Sequence, residues 1–254
     1  MRVLLISDVH ANLEALVAVL NAAPAHDLVA NLGDLVGYNA SPNEVCERLL
    51  TLGGIVVRGN HDRVCSGLTE VADFNPVAAI SARWTQMTLE PSYRDWLCSL
   101  PEGPLRLDSI QNVEFVHGSP GDEDEYLLST TSAEENFRLP DQADRMFFGH
   151  THLQGGFIEE NAQVRHFAPA YEGPDGFAKC ELVLHPGSRY LINPGSVGQP
   201  RDGDWRAAFA LYENNKDHAR VTFYRVPYDI DMAQDRILSL NLPPRLAMRL
   251  RMGR

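Results

Sequence analysis

Apolar residues in the first half of the chain come in short unbroken runs, separated by stretches of helical period. Positions 3–7, 28–32 and 54–58 are runs of strand length, and the lack of polar alternation predicts strands covered on both faces of a mostly parallel sheet. Between the first two, Leu13, Leu16, Val17 and Leu20 fall at i, i+3, i+4 and i+7, one face of a helix. Ser41-Pro42-Asn43-Glu44 reads as a helix start, with Ser41 at the N-cap, Pro42 at the first helical position and Glu44 completing a capping box. Asn75-Pro76 predicts a second such start, its helix running toward Leu89, and 92–100 predicts another helix. The second half is richer in strands, at 105–107, 113–117, 145–148, 157–159, 164–168, 181–184, 190–193, 207–212 and 221–226, with a Pro- and Gly-rich loop over 169–178. Helices over 230–240 and 244–252 follow. No repeat, low-complexity tract or linker interrupts this order, so residues 1–254 read as a single domain of two packed sheets with helices outside.

Composition narrows the class. Hydrophobic residues at 44% and charged residues at 22% belong to a globular chain rather than a disordered one. No apolar stretch approaches the roughly 18–20 residues that cross a bilayer. The opening apolar run stops at Ser7-Asp8, too early for a signal peptide, and reads as a buried first strand. Cys46, Cys65, Cys98 and Cys180 are scattered with no C-x-x-C pair, which favours a reducing compartment and predicts a cytoplasmic protein. The net charge of −12 opposes binding to duplex nucleic acid.

Chemistry concentrates in five clusters: Asp8-Val9-His10, Gly33-Asp34-Leu35-Val36-Gly37, Gly59-Asn60-His61-Asp62, His117-Gly118 and Gly149-His150-Thr151-His152. Each follows directly on an apolar run, so each is expected at the carboxyl end of a strand, where open α/β sheets bind ligands. Asp8 to Asp34 and Asp34 to Asn60 are both 26 positions, close to one strand-helix-strand unit. Side chains at i and i+2 of extended backbone point the same way, so Asp8 with His10, and His150 with His152, are each expected to grip one ion. Oxygen and imidazole donors without thiolate suit manganese, iron, zinc or nickel. Two divalent ions bring about four positive charges to one spot, enough to draw a phosphate onto an acidic protein.

The ordered set D-x-H, G-D-x-x-G, G-N-H-D, H-G and G-H-T-H resembles the calcineurin-like metallophosphoesterase family, most closely its bacterial branch with G-D-x-x-G-Y. The likeness runs from Asp8 through Asn193-Pro194-Gly195-Ser196. It implies a four-layer α-β-β-α sandwich, an α/β fold of two mixed sheets flanked by helices. It also implies two divalent ions per chain, with manganese favoured. By the resemblance Asp8, His10 and His152 bind the first ion, Asn60, His117 and His150 the second, and Asp34 bridges them. A hydroxide shared by the ions attacks a phosphoester, and His61, partly cationic near neutral pH, serves the leaving group as catalytic acid. One position departs from the pattern. Protein phosphatases of the family carry an acid three residues after the G-D aspartate, where this chain has Gly37, so Asp62 or another group assists His61, or His61 works alone.

Other residues divide between site and scaffold. Arg201 and Tyr38 are candidates for substrate contact, as is Asp62, which reads equally as a carboxylate orienting a ligand or as a turn former. Asn39 reads as turn structure or, with Tyr38, as lining of the entrance. Residues 122–125 read first as a solvated acidic loop and second as a lip of the site. Arg245, Arg249, Arg251 and Arg254 read first as charges on a solvated last helix and second as an oligomer contact or substrate cap. His26, His166, His185 and His218 read as ordinary surface or core residues. The function expected is hydrolysis of a small phosphodiester, phosphoanhydride or phosphomonoester, dinucleoside polyphosphates included. A phosphoprotein phosphatase and a scaffold that kept the fold without the chemistry are the alternatives. The sequence is silent on oligomeric state.

Overall fold

The computed structural model describes residues 1–254 except 73, 174 and 216–218, so His218 lies outside the described residues. The first strand shows how the layers arise. In β1 (Arg2–Ile6), Val3 and Leu5 point to one face and Leu4 and Ile6 to the other, and both faces are buried. Val3 and Leu5 join the core between two sheets, while Leu4 and Ile6 join a core under the helices. A strand buried on both sides has no polar position to alternate with, hence the unbroken run.

The first sheet has the order β3-β2-β1-β11-β12-β9, with β2 (Leu28–Asn31) and β3 (Ile55–Val56) parallel to β1. Its other half, β11 (Ala207–Asn214), β12 (Ala219–Val226) and β9 (Ala178–Leu184), is antiparallel. The second sheet has the order β4-β5-β6-β10-β7-β8. Its centre is again parallel, with β5 (Ile110–Phe115), β6 (Arg145–Phe147) and β10 (Arg189–Asn193) side by side. β4 (Leu105–Leu107), β7 (Gly155–Glu160) and β8 (Gln163–Phe167) extend it antiparallel. Phe115, Phe147, Tyr190 and Ile192 of this sheet meet Leu5, Tyr212, Val221 and Phe223 of the other in one shared core.

Helices cover the outer faces, which makes the four-layer α-β-β-α sandwich. α1 (Leu13–Ala22), α2 (Pro42–Leu52), α4 (Pro76–Thr88), α5 (Pro91–Ser99), α7 (Ile230–Ser239) and α8 (Pro244–Met252) contribute to the core over the first sheet. α6 (Thr130–Phe137) covers the second through Ala133 and Phe137. α3 (Asn60–Ser66) starts inside the G-N-H-D cluster. Apolar periodicity gives no sign of α3 or α6, because each is about two turns long and mostly polar in sequence. No described helix is long and apolar enough to cross a membrane.

Two local expectations change. The third strand shrinks from 54–58 to Ile55–Val56, since it pairs on one side only and turns at once toward α3. α2 begins at Pro42 as the sequence predicts, but Ser41 makes no capping bond and Glu44 closes no box. At α4, by contrast, Asn75 accepts from the amides of Val77 and Ala78, both at 3.1 Å.

Candidate metal centre

The carboxyl ends of the two parallel trios face one another, and all five sequence clusters lie there. Backbone bonds lock the loops together: the Asp8 amide donates to Gly33, Gly149 to His117, and Val197 to Ser7, at 2.8–2.9 Å. The loop after β10 acts as a strap, with Asn193 donating to the Gly149 carbonyl at 2.7 Å and Ser196 to the Asp8 carbonyl at 2.8 Å. Extended backbone does not carry these side chains. Asp8, His10, Asp34, His150 and His152 all have left-handed φ, between 48° and 63°. Such strain in residues other than glycine gathers at functional sites, held in place by the surrounding structure.

The donor atoms form two groups that share one carboxylate. Asp8, His10, Asp34 and His152 make one, and Asp34, His117 and His150 the other. The two-residue spacing alone allowed His150 and His152 to grip one ion together; the left-handed turn sends them to different groups, the division that the resemblance implied. Asn60, first residue of α3, joins the second group through its Oδ1, 3.3 Å from His117 Nε2. Asp34 Oδ2 lies 3.5 Å from both His10 Nε2 and His117 Nε2, while its Oδ1 accepts the His61 amide at 2.8 Å.

Four ring hydrogens are already committed. His10 and His117 donate from Nδ1 to the carbonyls of Val36 and Leu32, at 3.0 and 2.7 Å. His152 donates from Nδ1 to the Gln199 carbonyl, and His150 from Nε2 to the Asp124 carbonyl. Each neutral ring is thus left with one lone pair: Nε2 of His10, His117 and His152, and Nδ1 of His150. The Nε2 atoms of His10 and His152 stand 3.1 Å apart with no hydrogen left to place between them. Two lone pairs held so close call for a cation.

Charge agrees with this. Burial opposes ionisation of Asp8 and Asp34, yet His152 beside the first and His117 beside the second hold both carboxyls below the usual range. Burial drives His10 and His152 down and His150 to about 3, so these rings stay neutral, as metal-binding imidazoles must be. Burial also opposes charge on His117, but Asp34 and Asp8 outweigh it and push the ring up to about 10. A proton on His117 is the stand-in for positive charge that the two buried carboxylates demand. Asp8 Oδ2, buried and without a hydrogen-bond partner, is a further oxygen waiting for an electropositive neighbour. The residues fit a divalent cation in each group.

The profile of the calcineurin-like phosphoesterase superfamily domain matches residues 1–217. The chain belongs to that superfamily. It is 36% identical to an uncharacterized protein of Methanocaldococcus jannaschii over 98% of this chain and 97% of that one. It is also similar to the crystal structure of a metallophosphoesterase from Sphaerobacter thermophilus, with 41% identity, a TM-score of 0.81 and coverage of 100% and 99% of the two chains. The fold is shared with a hypothetical protein from Pyrococcus horikoshii at 19% identity, a TM-score of 0.78 and coverage of 100% and 98%.

Around this candidate centre, several residues sit differently from the sequence expectation. Asp62 is fully buried and accepts the amides of Leu35, Val36 and Gly59 at 2.8, 3.2 and 3.0 Å. It staples the Asp34 loop to the start of α3 and is not at a substrate's disposal, nor does it bond to the His61 ring. Asp62→Ala leaves three buried amides without an acceptor, and is expected to cost about 3 kcal/mol in urea unfolding. Unchanged stability with weakened substrate binding would return Asp62 to the contact set.

His61 is 4% exposed, and burial together with Arg201 takes its ring down to about 4 against the pull of Asp34. The partly cationic imidazole expected at neutral pH is therefore corrected to a neutral one. Its ring is packed between Tyr38 and Phe74, both with centroids 4.4 Å away. Nδ1 is buried without a partner against Gly37, which leaves Nε2 as the nitrogen available to a substrate.

The acidic loop is not simply solvated either. Glu123 pairs with Arg58 and Arg63, Asp124 pairs with Arg63, and the loop walls an open cavity of about 500 Å³ beside Asn60, His61 and His150. Tyr126 stacks on His150 at 3.8 Å and lines the same cavity with Phe74 and Tyr38. Sequence reading passed over Tyr126 and Phe74, since a lone aromatic beside an acidic run or a helix start carries no local signal. Asn39 is turn structure as expected, donating to the His10 carbonyl at 2.8 Å.

Proposed function

We propose that this chain is a dinuclear metal-dependent phosphoesterase acting on small phosphodiesters or phosphoanhydrides. The observation that carries the reading is the Asp34 carboxylate, shared between two donor groups whose lone pairs converge. Asp8, His10 and His152 would hold one ion, Asn60, His117 and His150 the other, and Asp34 both. Two divalent ions supply Lewis acidity toward water and charge for the phosphoryl oxygens. The chain's own residues do the rest. Four backbone carbonyls fix the tautomers of the histidines, so the donors need little rearrangement. His61, which lines the cavity and is neutral in the free protein, would offer its Nε2 edge to the leaving oxygen and stabilise the charge that develops there. Arg201, whose amide donates to the His152 carbonyl, would reach a phosphate oxygen of the substrate from beside the metal donors.

A phosphoprotein substrate is disfavoured by Gly37. A Cβ there would lie 2.5 Å from His61 Nδ1, so the ring occupies the place that an acid takes in the protein phosphatases. The retention of every donor and of His61 speaks against a scaffold without chemistry.

The test is to titrate the metal-stripped protein with manganese, count the ions by elemental analysis, and follow hydrolysis of bis(p-nitrophenyl) phosphate. Close to two ions per chain and manganese-dependent release of nitrophenol are expected. Binding of two ions without hydrolysis of this diester, of diadenosine tetraphosphate or of a monoester would end the enzymatic reading.

A further inference from the structure

Several buried or half-buried arginines in this acidic chain are matched to carboxylates: Arg58 and Arg63 to the loop at 123–124, Arg189 to Glu159, and Arg206 and Arg225 to Asp204 and Asp202. Arg201 and Arg249 are different. Neither pairs with an aspartate or glutamate among the described residues, although both are partly buried and the chain carries a net charge of −12. The Arg249 Nε donates to the main-chain oxygen of Arg254 at 2.6 Å, which leaves its outer nitrogens to other partners. They lie on the same aromatic ring, with guanidinium carbons 5.8 and 5.6 Å from the Tyr38 centroid. Arg201 also donates to the Tyr38 hydroxyl at 3.3 Å, and its Nε is buried with no partner. Burial and the neighbouring Arg201 both act to lower the basicity of Arg249. Two partly buried cations on one ring repel each other, and an anion that reached both would offset that repulsion.

Their position says where that anion belongs. The other contacts of the Tyr38 ring are His61 at 4.4 Å and His10 at 4.7 Å, so the arginine pair stands one aromatic ring away from the metal donors. α8, which the sequence presents as a solvated basic helix, thereby brings Arg249 to the rim of the site. We propose that Arg201 and Arg249 form a second anion subsite, and that the substrate carries a further phosphate next to the scissile one, as in organic polyphosphates. This rests on the phosphoesterase reading of the metal centre. The scissile group goes to the metals, and the neighbouring phosphate lies over the Tyr38 edge between the two guanidinium groups. Arginine suits this role because its planar fork stacks on tyrosine while its N–H edge stays free for phosphate oxygens.

The experiment compares kcat/KM of the manganese-loaded wild type, Arg249→Met and Arg249→Lys on two probes, with matched thermal unfolding as a control. Bis(p-nitrophenyl) phosphate carries one anionic group, and diadenosine tetraphosphate carries several. The ratio of polyphosphate to diester kcat/KM is expected to fall at least tenfold in Arg249→Met and by less in Arg249→Lys, which keeps the charge but not the fork. Should Arg249→Met fail to fold, a fall in the ratio for Arg249→Lys and Arg201→Lys carries the same test. Ratios within twofold of wild type overturn the subsite while the phosphoesterase reading stands, as does a wild type that cleaves the diester and ignores the polyphosphate. A metal-loaded wild type that cleaves neither probe overturns both.

Discussion

Asp34→Asn is expected to abolish metal-dependent hydrolysis, with kcat/KM falling at least about a thousandfold, or about 4 kcal/mol of transition-state stabilisation. The geometry sets the size of the effect. Asp34 Oδ1 takes the His61 amide, so an asparagine keeps its carbonyl oxygen there and turns its NH₂ toward the position of Oδ2. That position faces the lone pairs of His10 and His117, both 3.5 Å away, where a cation would be replaced by two hydrogens. The shape of the side chain is unchanged and the His61 amide keeps its acceptor, so the fold is expected to persist by circular dichroism. Elemental analysis should then find fewer ions than in wild type. Two tightly held ions in this variant would show that Asp34 does not serve both groups.

His61→Ala is the second large effect. Turnover is expected to drop about a hundredfold or more, in the range that one group stabilising transition-state charge contributes, with metal content unchanged. His61 touches Asp34 through its backbone amide, which alanine retains, so the ring itself is not needed to hold the donors. Gly37→Asp gives the matching result from the opposite side. It places an acid where the protein phosphatases have one, yet Gly37 has φ +86° and its Cβ would meet His61 Nδ1 at 2.5 Å. The ring cannot yield, being hemmed in by Phe74, Tyr38 and His10 at 4.4–4.8 Å. A displaced imidazole loses catalytic reach, so this variant is expected to approach His61→Ala in turnover rather than to gain activity. Loss of metal from His61→Ala, or improved turnover in Gly37→Asp, would remove His61 from the role given to it.

Glycine at position 59 shows a related constraint. A Cβ there would lie 2.1 Å from Asp34 Oδ1, so the Gly-Asn pair allows the start of α3 to close onto the carboxylate. At Asp62 and His61 the same segment misleads, because the sequence cannot say which neighbours desolvate a side chain. Three amides claim Asp62, and Tyr38 and Phe74 enclose His61. Both outcomes depend on contacts with segments distant in sequence.

What the sequence by itself determined is local and periodic. Unbroken apolar runs marked β1 and β2 because both faces of each are covered, and the polar cluster after each run marked the strand end where backbone pairing stops. Equal spacing from Asp8 to Asp34 to Asn60 placed three donors on one edge, since each crossover unit has a similar length. Tertiary structure decided the rest. It supplied the physical means by which His150 and His152 part, left-handed backbone that no period-2 pattern encodes, where the sequence had only a family resemblance to say so. It turned the acidic residues at 123–124 toward Arg58 and Arg63, and it laid Arg249 of α8 on Tyr38, more than two hundred positions away in the chain. Such pairings depend on which surfaces two packed sheets and their helices bring together, and that is a property of the assembled layers and not of any window of residues.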